Sequence, residues 1–149
     1  MANDDARARI LEVAGPIFAA KGYHGATIRE ICEAAGVNVA AVNYHFRNKR
    51  TLYGASLGLA LELTASRAHF PTWSPEEPAE ARLKECVCTL VERMAELNDV
   101  AWQTRLILRE CLAPTGMRSD EIARFVQLPM DVLLPILENL LPGDSLQSK

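Results

Sequence analysis

Trp102, Arg105 and Arg109 stand three and four residues apart, which on a helix sets an indole and two guanidinium groups on one face. Such a face could hold an anionic or flat small molecule. The same spacing also fits a plainer arrangement, with Trp102 in a core and the arginines paired with Glu110 or with carboxylates of the preceding helix. Met94, Met117 and Phe125 read as core first and pocket lining second. The four cysteines, Cys32, Cys86, Cys88 and Cys111, include no C-x-x-C pair, and no histidine lies at zinc-finger spacing from them. Cys86 and Cys88 point about 200° apart on a helix. The cysteines read as small apolar side chains in a reducing cytosol, with a redox switch as the other reading. No Ser/His/Asp motif and no glycine-rich phosphate loop is present, and His69 has no evident partner. No enzymatic activity, cofactor or metal site is therefore expected.

The elements that must position these side chains belong to a chain of 149 residues, 49% hydrophobic and 23% charged, with mean hydropathy near zero. That is the composition of a soluble globular protein, long enough to bury roughly 70% of its unfolded surface. The longest weakly charged stretch, Thr51 to Ala65, is too short and too polar to span a bilayer. Asp4 and Asp5 stand where a secretory signal needs positive charge, so a cytoplasmic protein without membrane contact is expected. The net charge of −3 is unevenly spread. Residues 1–53 carry seven basic side chains against five acidic, and residues 54–149 carry nine against fourteen. A basic end on an acidic chain fits a polyanion met by one end only.

The periodicity is helical throughout, so the expected fold is all-α. Helix 1 runs from about Asp5 to Ala20, loosened at Gly15-Pro16 and stopped by Lys21-Gly22. Thr27-Ile28-Arg29-Glu30 is a capping box that opens helix 2, which Gly36 ends. Asn38 caps helix 3, Val39 to Phe46, and Asn48 caps helix 4. Helix 4 carries Leu52, Ser56, Leu59 and Leu63 on one face and Leu57 and Leu61 on a second, as a helix joining two halves would. Phe70 to Ala79 is the linker, with Ser74 as the N-cap and Pro75 as the first residue of helix 5, which runs to Leu97. Asn98-Asp99 caps helix 6, Val100 to Leu112. Helix 7 starts at Ser119 and keeps its apolar phase through Pro129 and Pro135, as one kinked helix does. Pro142-Gly143-Asp144 ends it, and Ser145–Lys149 reads as a frayed tail.

Two short helices joined at Gly36-Val37 behind a longer one are the layout of a helix-turn-helix. Five segments then agree in order and spacing: Phe18-Ala19-Ala20-Lys21-Gly22-Tyr23; Thr27-Ile28-Arg29-Glu30-Ile31; Ala34-Ala35-Gly36-Val37; Tyr44-His45-Phe46; and Lys49. Across residues 8–60 they closely resemble the DNA-binding domain of TetR-family transcriptional regulators. Val37 to Phe46 looks most like the CecR-like branch. The resemblance implies a three-helix DNA-binding domain at residues 1–53, joined by a long helix to a helical effector-binding and dimerisation domain at 54–149. TetR-like proteins continue past the equivalent of helix 7 with two helices that pair across a two-fold axis, so the second domain is expected to be incomplete.

The same resemblance implies residue roles. Helix 3, capped by Asn38, lies in the major groove and offers Val39, Ala40, Ala41, Asn43 and Tyr44. Alanines can touch thymine methyls, and asparagine can read adenine bidentately. Family members often carry Gly-Thr at the positions of Ala40-Ala41 and an aromatic at that of Asn43. Arg29 matches a position that reaches base edges or phosphate, and its plain reading is a charge beside Glu30 or Glu33. Thr27 can bond a phosphate as well as cap. Tyr44, His45 and Lys49 match phosphate-binding positions, for which a neutral imidazole suffices. Phe46 reads as core, while Arg47 and Arg50 either add salt-dependent affinity or stay solvated. The expected function is repression of transcription by a dimer on a palindromic double-stranded DNA operator, released by a small-molecule effector that binds near Trp102, Arg105 and Arg109. A helical protein-interaction module and an architectural DNA-binding protein without an effector share the same features.

Overall fold

The computed structural model describes residues 2–67, 71–74, 76–96 and 102–141, with the backbone alone at 2–4, 66–67 and 93–96. Among them run seven helices and no strand: α1 (Ala2–Gly25), α2 (Ile28–Ala35), α3 (Val39–Phe46), α4 (Lys49–Arg67), α5 (Ala79–Glu96), α6 (Trp102–Leu112) and α7 (Ser119–Leu140). His69, Pro75, Leu97, the Asn98-Asp99 cap, Val100, the side chain of Met94 and everything from Pro142 to Lys149 lie outside the described residues.

Local chemistry sets most of the boundaries. The Thr27 hydroxyl accepts from the Glu30 N–H at 3.2 Å and starts α2. The Glu30 carboxylate does not complete the expected box, because it pairs with the Lys21 ammonium of α1 instead. Gly36 takes the left-handed conformation (φ 64°), its N–H donates to Glu33 O, and the Val37 N–H donates to Cys32 O. This is the Schellman pattern that ends a helix in a tight turn. Asn38 Oδ1 accepts from the Ala41 N–H at 2.9 Å, and Asn48 Oδ1 accepts from the Thr51 N–H at 2.9 Å, opening α3 and α4.

Four expectations need correction. In α1 the residue that leaves helical dihedrals is Gly22 (φ 73°, ψ 174°), not Pro16. Pro16 is exposed, so water can serve the carbonyl its ring leaves unbonded. Second, α5 starts at Ala79 rather than beside Ser74: Ser74 heads a turn through the Glu77 N–H, and Pro78 O accepts from Ala81 and Arg82. A proline disfavours helical dihedrals in the residue before it, so Glu77 cannot join the helix ahead of Pro78. Third, the buried stripe of α4 is Leu52, Tyr53, Ser56, Leu57 and Ala60, whereas Leu59 and Leu63 are only half-buried. Fourth, Cys32 and Cys86 are buried, but Cys88 and Cys111 are exposed.

One packed cluster runs from Ile10 in α1 to Ile122 in α7. α1 lies across α6 and α4, α4 lies across α6, and α5 packs on α7. At its centre the Phe18 and Tyr53 rings meet edge to face at 4.9 Å, and Tyr23 meets Tyr53 the same way at 5.2 Å. Glu110 of α6 is 3% exposed and still carries its carboxylate into this core. Three donors meet it: Tyr53 OH at 2.9 Å, the Thr115 N–H at 2.7 Å and the Thr115 hydroxyl at 2.8 Å. A carboxylate buried in this way costs little only while those donors stay in place.

Candidate nucleic-acid interface

α3 has two faces. Val42 and Phe46 are buried against α1 and α2, and Ala41 and His45 are half-covered. Val39, Ala40, Asn43, Tyr44 and Arg47 form the opposite stripe, which is open to solvent. Tyr44 is 73% exposed and Val39 49% exposed, an apolar surface that contributes nothing to folding. Its neighbours hold it in order: the Tyr44 and His45 rings meet at 5.1 Å, and His45 lies 6.2 Å from Phe46.

Thr27 is exposed at the N-terminus of α2, with its hydroxyl oxygen engaged as cap. Asn38 is likewise exposed and engaged as the α3 cap. Lys49 is aimed by the end of α1. Its ammonium lies 4.9 Å from the centre of the Tyr23 ring and donates to His24 O at 3.4 Å. Lys49 is only half-buried, so part of the charge still faces water. Arg29 is 88% exposed in its side chain and pairs with Glu33 one turn on at 3.0 Å. An exposed pair of this spacing is worth about 0.3–0.5 kcal/mol, too little to keep Arg29 from a stronger anion.

The exposed stripe of α3, Thr27 and Arg29 thus belong to the N-terminal three helices, and Lys49 opens α4 beside them. Sequence reasoning passed over Arg7, whose guanidinium lies 5.5 Å from the centre of the Phe46 ring. No helical spacing links residue 7 to residue 46, so only the packing of α1 on α3 exposes that relation.

The α6 residues are placed differently. Trp102 is half-buried against α1, so close that a Cβ on Gly15 would stand 2.4 Å from its ring. Arg109 reaches back to α1 and donates to Ala20 O at 3.1 Å. Arg105 is exposed. None of the three lines the cleft of about 240 Å³ between α4 and α7, whose walls are Leu61, Ala65, Phe125 and Leu128 with Arg118, Glu121 and Arg124. Arg118 is held there by Gly54 O at 2.8 Å and by an ion pair with Glu121. Among the described residues no group of three or more metal-capable side chains occurs, and no helix is long and apolar enough to cross a membrane.

Comparison with known proteins agrees with this geometry. Residues 10–55 match the family model of bacterial regulatory proteins of the tetR family. Over 121 residues the chain is 28% identical to the HTH-type transcriptional regulator UidR of Escherichia coli, covering 81% of this chain and 57% of that protein. It is 42% identical over 64 residues to the HTH-type transcriptional repressor AcnR of Corynebacterium glutamicum, 43% of this chain and 32% of the repressor. It is 39% identical over 54 residues to the HTH-type transcriptional activator FasR of Mycolicibacterium smegmatis, 36% of this chain and 25% of the activator. The chain therefore spans little more than half the length of UidR and matches smaller parts of the other two. α2 and α3 thus lie within the residues that match the tetR family model.

Proposed function

We propose that the chain is a sequence-specific transcriptional repressor in the cytoplasm, which binds a palindromic operator in double-stranded DNA as a homodimer and is released by a small-molecule effector. The observation that carries this reading is the solvent-facing stripe of α3, exposed in a helix whose other face is fully packed. Residues 1–53 form the DNA-binding domain in this reading. Val39, Ala40, Ala41 and Asn43 face base edges. Thr27, Asn38, Tyr44, His45 and Lys49 hold phosphates, and Arg29 exchanges Glu33 for DNA. Val37 to Phe46 supports a place in the CecR-like branch.

Residues 54–149 serve as effector-binding and dimerisation domain. Trp102, Arg105 and Arg109 offer an aromatic and two cations to an anionic effector on α6, and the separate α4–α7 cleft offers an apolar floor with Arg118 and Arg124. α4 is the natural lever. Its 19 residues make a rod of about 28 Å with Leu61 and Ala65 in the cleft wall and Lys49 at the far end. A ligand that wedges the cleft open tilts that rod and moves the recognition helices away from the roughly 34–36 Å spacing that successive major grooves require.

Selection against random duplex DNA at two salt concentrations tests the reading, with a Tyr44→Ala, Lys49→Ala variant alongside. The expected result is a palindromic enriched site that the variant fails to recover while keeping its helical circular dichroism. A reporter behind that site then reads the sign of regulation. Salt-sensitive binding without enrichment would remove the operator and the dimer from the proposal, and the absence of binding at low salt would remove the regulator.

A further inference from the structure

The C-terminal end of α3 carries a second group of cations. Arg7 reaches from α1 and covers the ring of Phe46, the last residue of α3, while its own side chain stays open to water. Arg47 follows Phe46 directly, held at φ 63° with its N–H bonded to Asn43 O at 2.9 Å, and Arg50 lies in the first turn of α4. Both are exposed. No Asp or Glu occurs anywhere from residue 34 to residue 61, so α3 and the first turns of α4 add only positive side chains to this corner. Of the arginines on the first turns of α1, Arg9 lies 3.9 Å from Asp5, and Arg7 lies over the aromatic ring.

Arg7 and Lys49 mark different ends of α1. Lys49 is seated on Tyr23, just past the Gly22 kink, whereas Arg7 lies in the first turns of α1. Phe46 closes α3, so Arg7 stands at the C-terminal end of that helix. A helix lying in a major groove about 12 Å wide has a phosphate backbone on either side, and each wall needs its own anchors. Stacking suits arginine for this task, because a guanidinium is weakly hydrated, lies flat on a ring and keeps its edge N–H groups free for phosphate oxygens.

We infer that Arg7, oriented by Phe46 at the C-terminal end of α3, is a further phosphate-binding site of the interface, beside the exposed Arg47 that follows Phe46. Phe46 is a positioning residue here, and Arg7 supplies the contact. The inference rests on the DNA-binding reading of α3. It adds a component of the affinity that depends on charge and not on base sequence.

The test measures the affinity of the full chain for duplex DNA from about 50 to 200 mM salt, for the wild type, Arg7→Ala and Arg7→Lys, with thermal unfolding of each as the control for folding. One released phosphate contact changes the slope of log K against log salt by about 0.9, and a homodimer loses two, so over this fourfold range Arg7→Ala should lose about 12-fold less affinity than the wild type. Arg7→Lys should keep the wild-type slope and bind more weakly, since an ammonium keeps the charge but cannot lie flat on Phe46 and reach sideways. The base preference of all three should be the same. An Arg7→Ala variant with wild-type affinity and slope would overturn the inference while leaving the α3 reading intact. A wild-type chain with no salt-dependent binding would overturn both.

Discussion

Tyr53→Ala is expected to leave the protein largely unfolded at 37 °C. Tyr53 is 1% exposed and is the largest fully buried side chain, in contact with the rings of Phe18 and Tyr23. Truncating a buried aromatic to alanine costs about 3–5 kcal/mol through lost transfer energy and the cavity left behind. A further 1–3 kcal/mol or so comes from Glu110, which loses its Tyr53 donor inside the core. Domains of this size hold roughly 5–15 kcal/mol in all, so the sum takes most of it. Urea unfolding followed at 222 nm measures the loss.

Tyr53→Phe separates the two parts. The ring stays, the donor goes, and only the smaller loss of about 1–3 kcal/mol should appear. The pH dependence gives a second handle. Burial, then the hydrogen bond and negative charge of Glu110, push the Tyr53 phenol well above the ordinary tyrosine value. In the unfolded chain it ionises near 10, and in the folded chain it does not. Above that pH the unfolded state sheds a proton that the folded state keeps, so this contribution to stability is complete below pH 10 and falls as pH rises, by up to about 1.4 kcal/mol per pH unit. The difference in stability between wild type and Tyr53→Phe should therefore shrink with pH above 10. A difference that stays constant there would contradict the assignment.

The second large effect is at Gly15. Replacing a helical glycine with alanine ordinarily gains about 0.5–1 kcal/mol. Here the new Cβ would stand 2.4 to 2.7 Å from three carbons of the Trp102 ring, a rigid group wedged between α1 and α6. Overpacking of that kind costs about 1–3 kcal/mol, so Gly15→Ala should lower stability despite its better propensity. Gly58→Ala is the contrasting case. Its Cβ would approach the Arg118 guanidinium at 2.7 Å, but that is the end of a flexible side chain. The substitution should be neutral or stabilising by under about 1 kcal/mol. A double-mutant cycle of Gly15→Ala with Trp102→Leu checks the cause, since removing the indole should recover most of the loss. Equal losses with and without the indole would place the cost elsewhere.

Features written in a few consecutive residues could be read directly. Thr27, Asn38 and Asn48 each cap the helix they precede, and Gly36 ends α2 with a positive φ, because capping and turn chemistry act over four or five residues. α7 continues through Pro129 and Pro135 as its unbroken apolar phase indicates. The phase of α4 was harder. A helix covered on two sides has apolar residues at several spacings, and the hydroxyl of Tyr53 hides how deep that side chain lies. The contacts of Lys49 with Tyr23, Arg7 with Phe46 and Tyr53 with Glu110 join residues 26, 39 and 57 positions apart. Packing makes such pairs, and no local pattern announces them. The outward stripe of α3 was readable by its likeness to a family, whereas the cation that α1 brings to its end was not.

Among the described residues the packed cluster from Ile10 to Ile122 takes in α1, α2, α3, α4 and α6 together, so α3 has no core of its own. Phe18 and Tyr53 belong to the same cluster as Val42 and Phe46 of α3 and Leu106 and Ile107 of α6. Heat or denaturant should therefore meet one cooperative unit and produce one transition, with α3 melting at the same temperature as α6. A small molecule that binds this unit only when it is folded must then raise the melting temperature of α3 as well, whether or not it moves that helix at all.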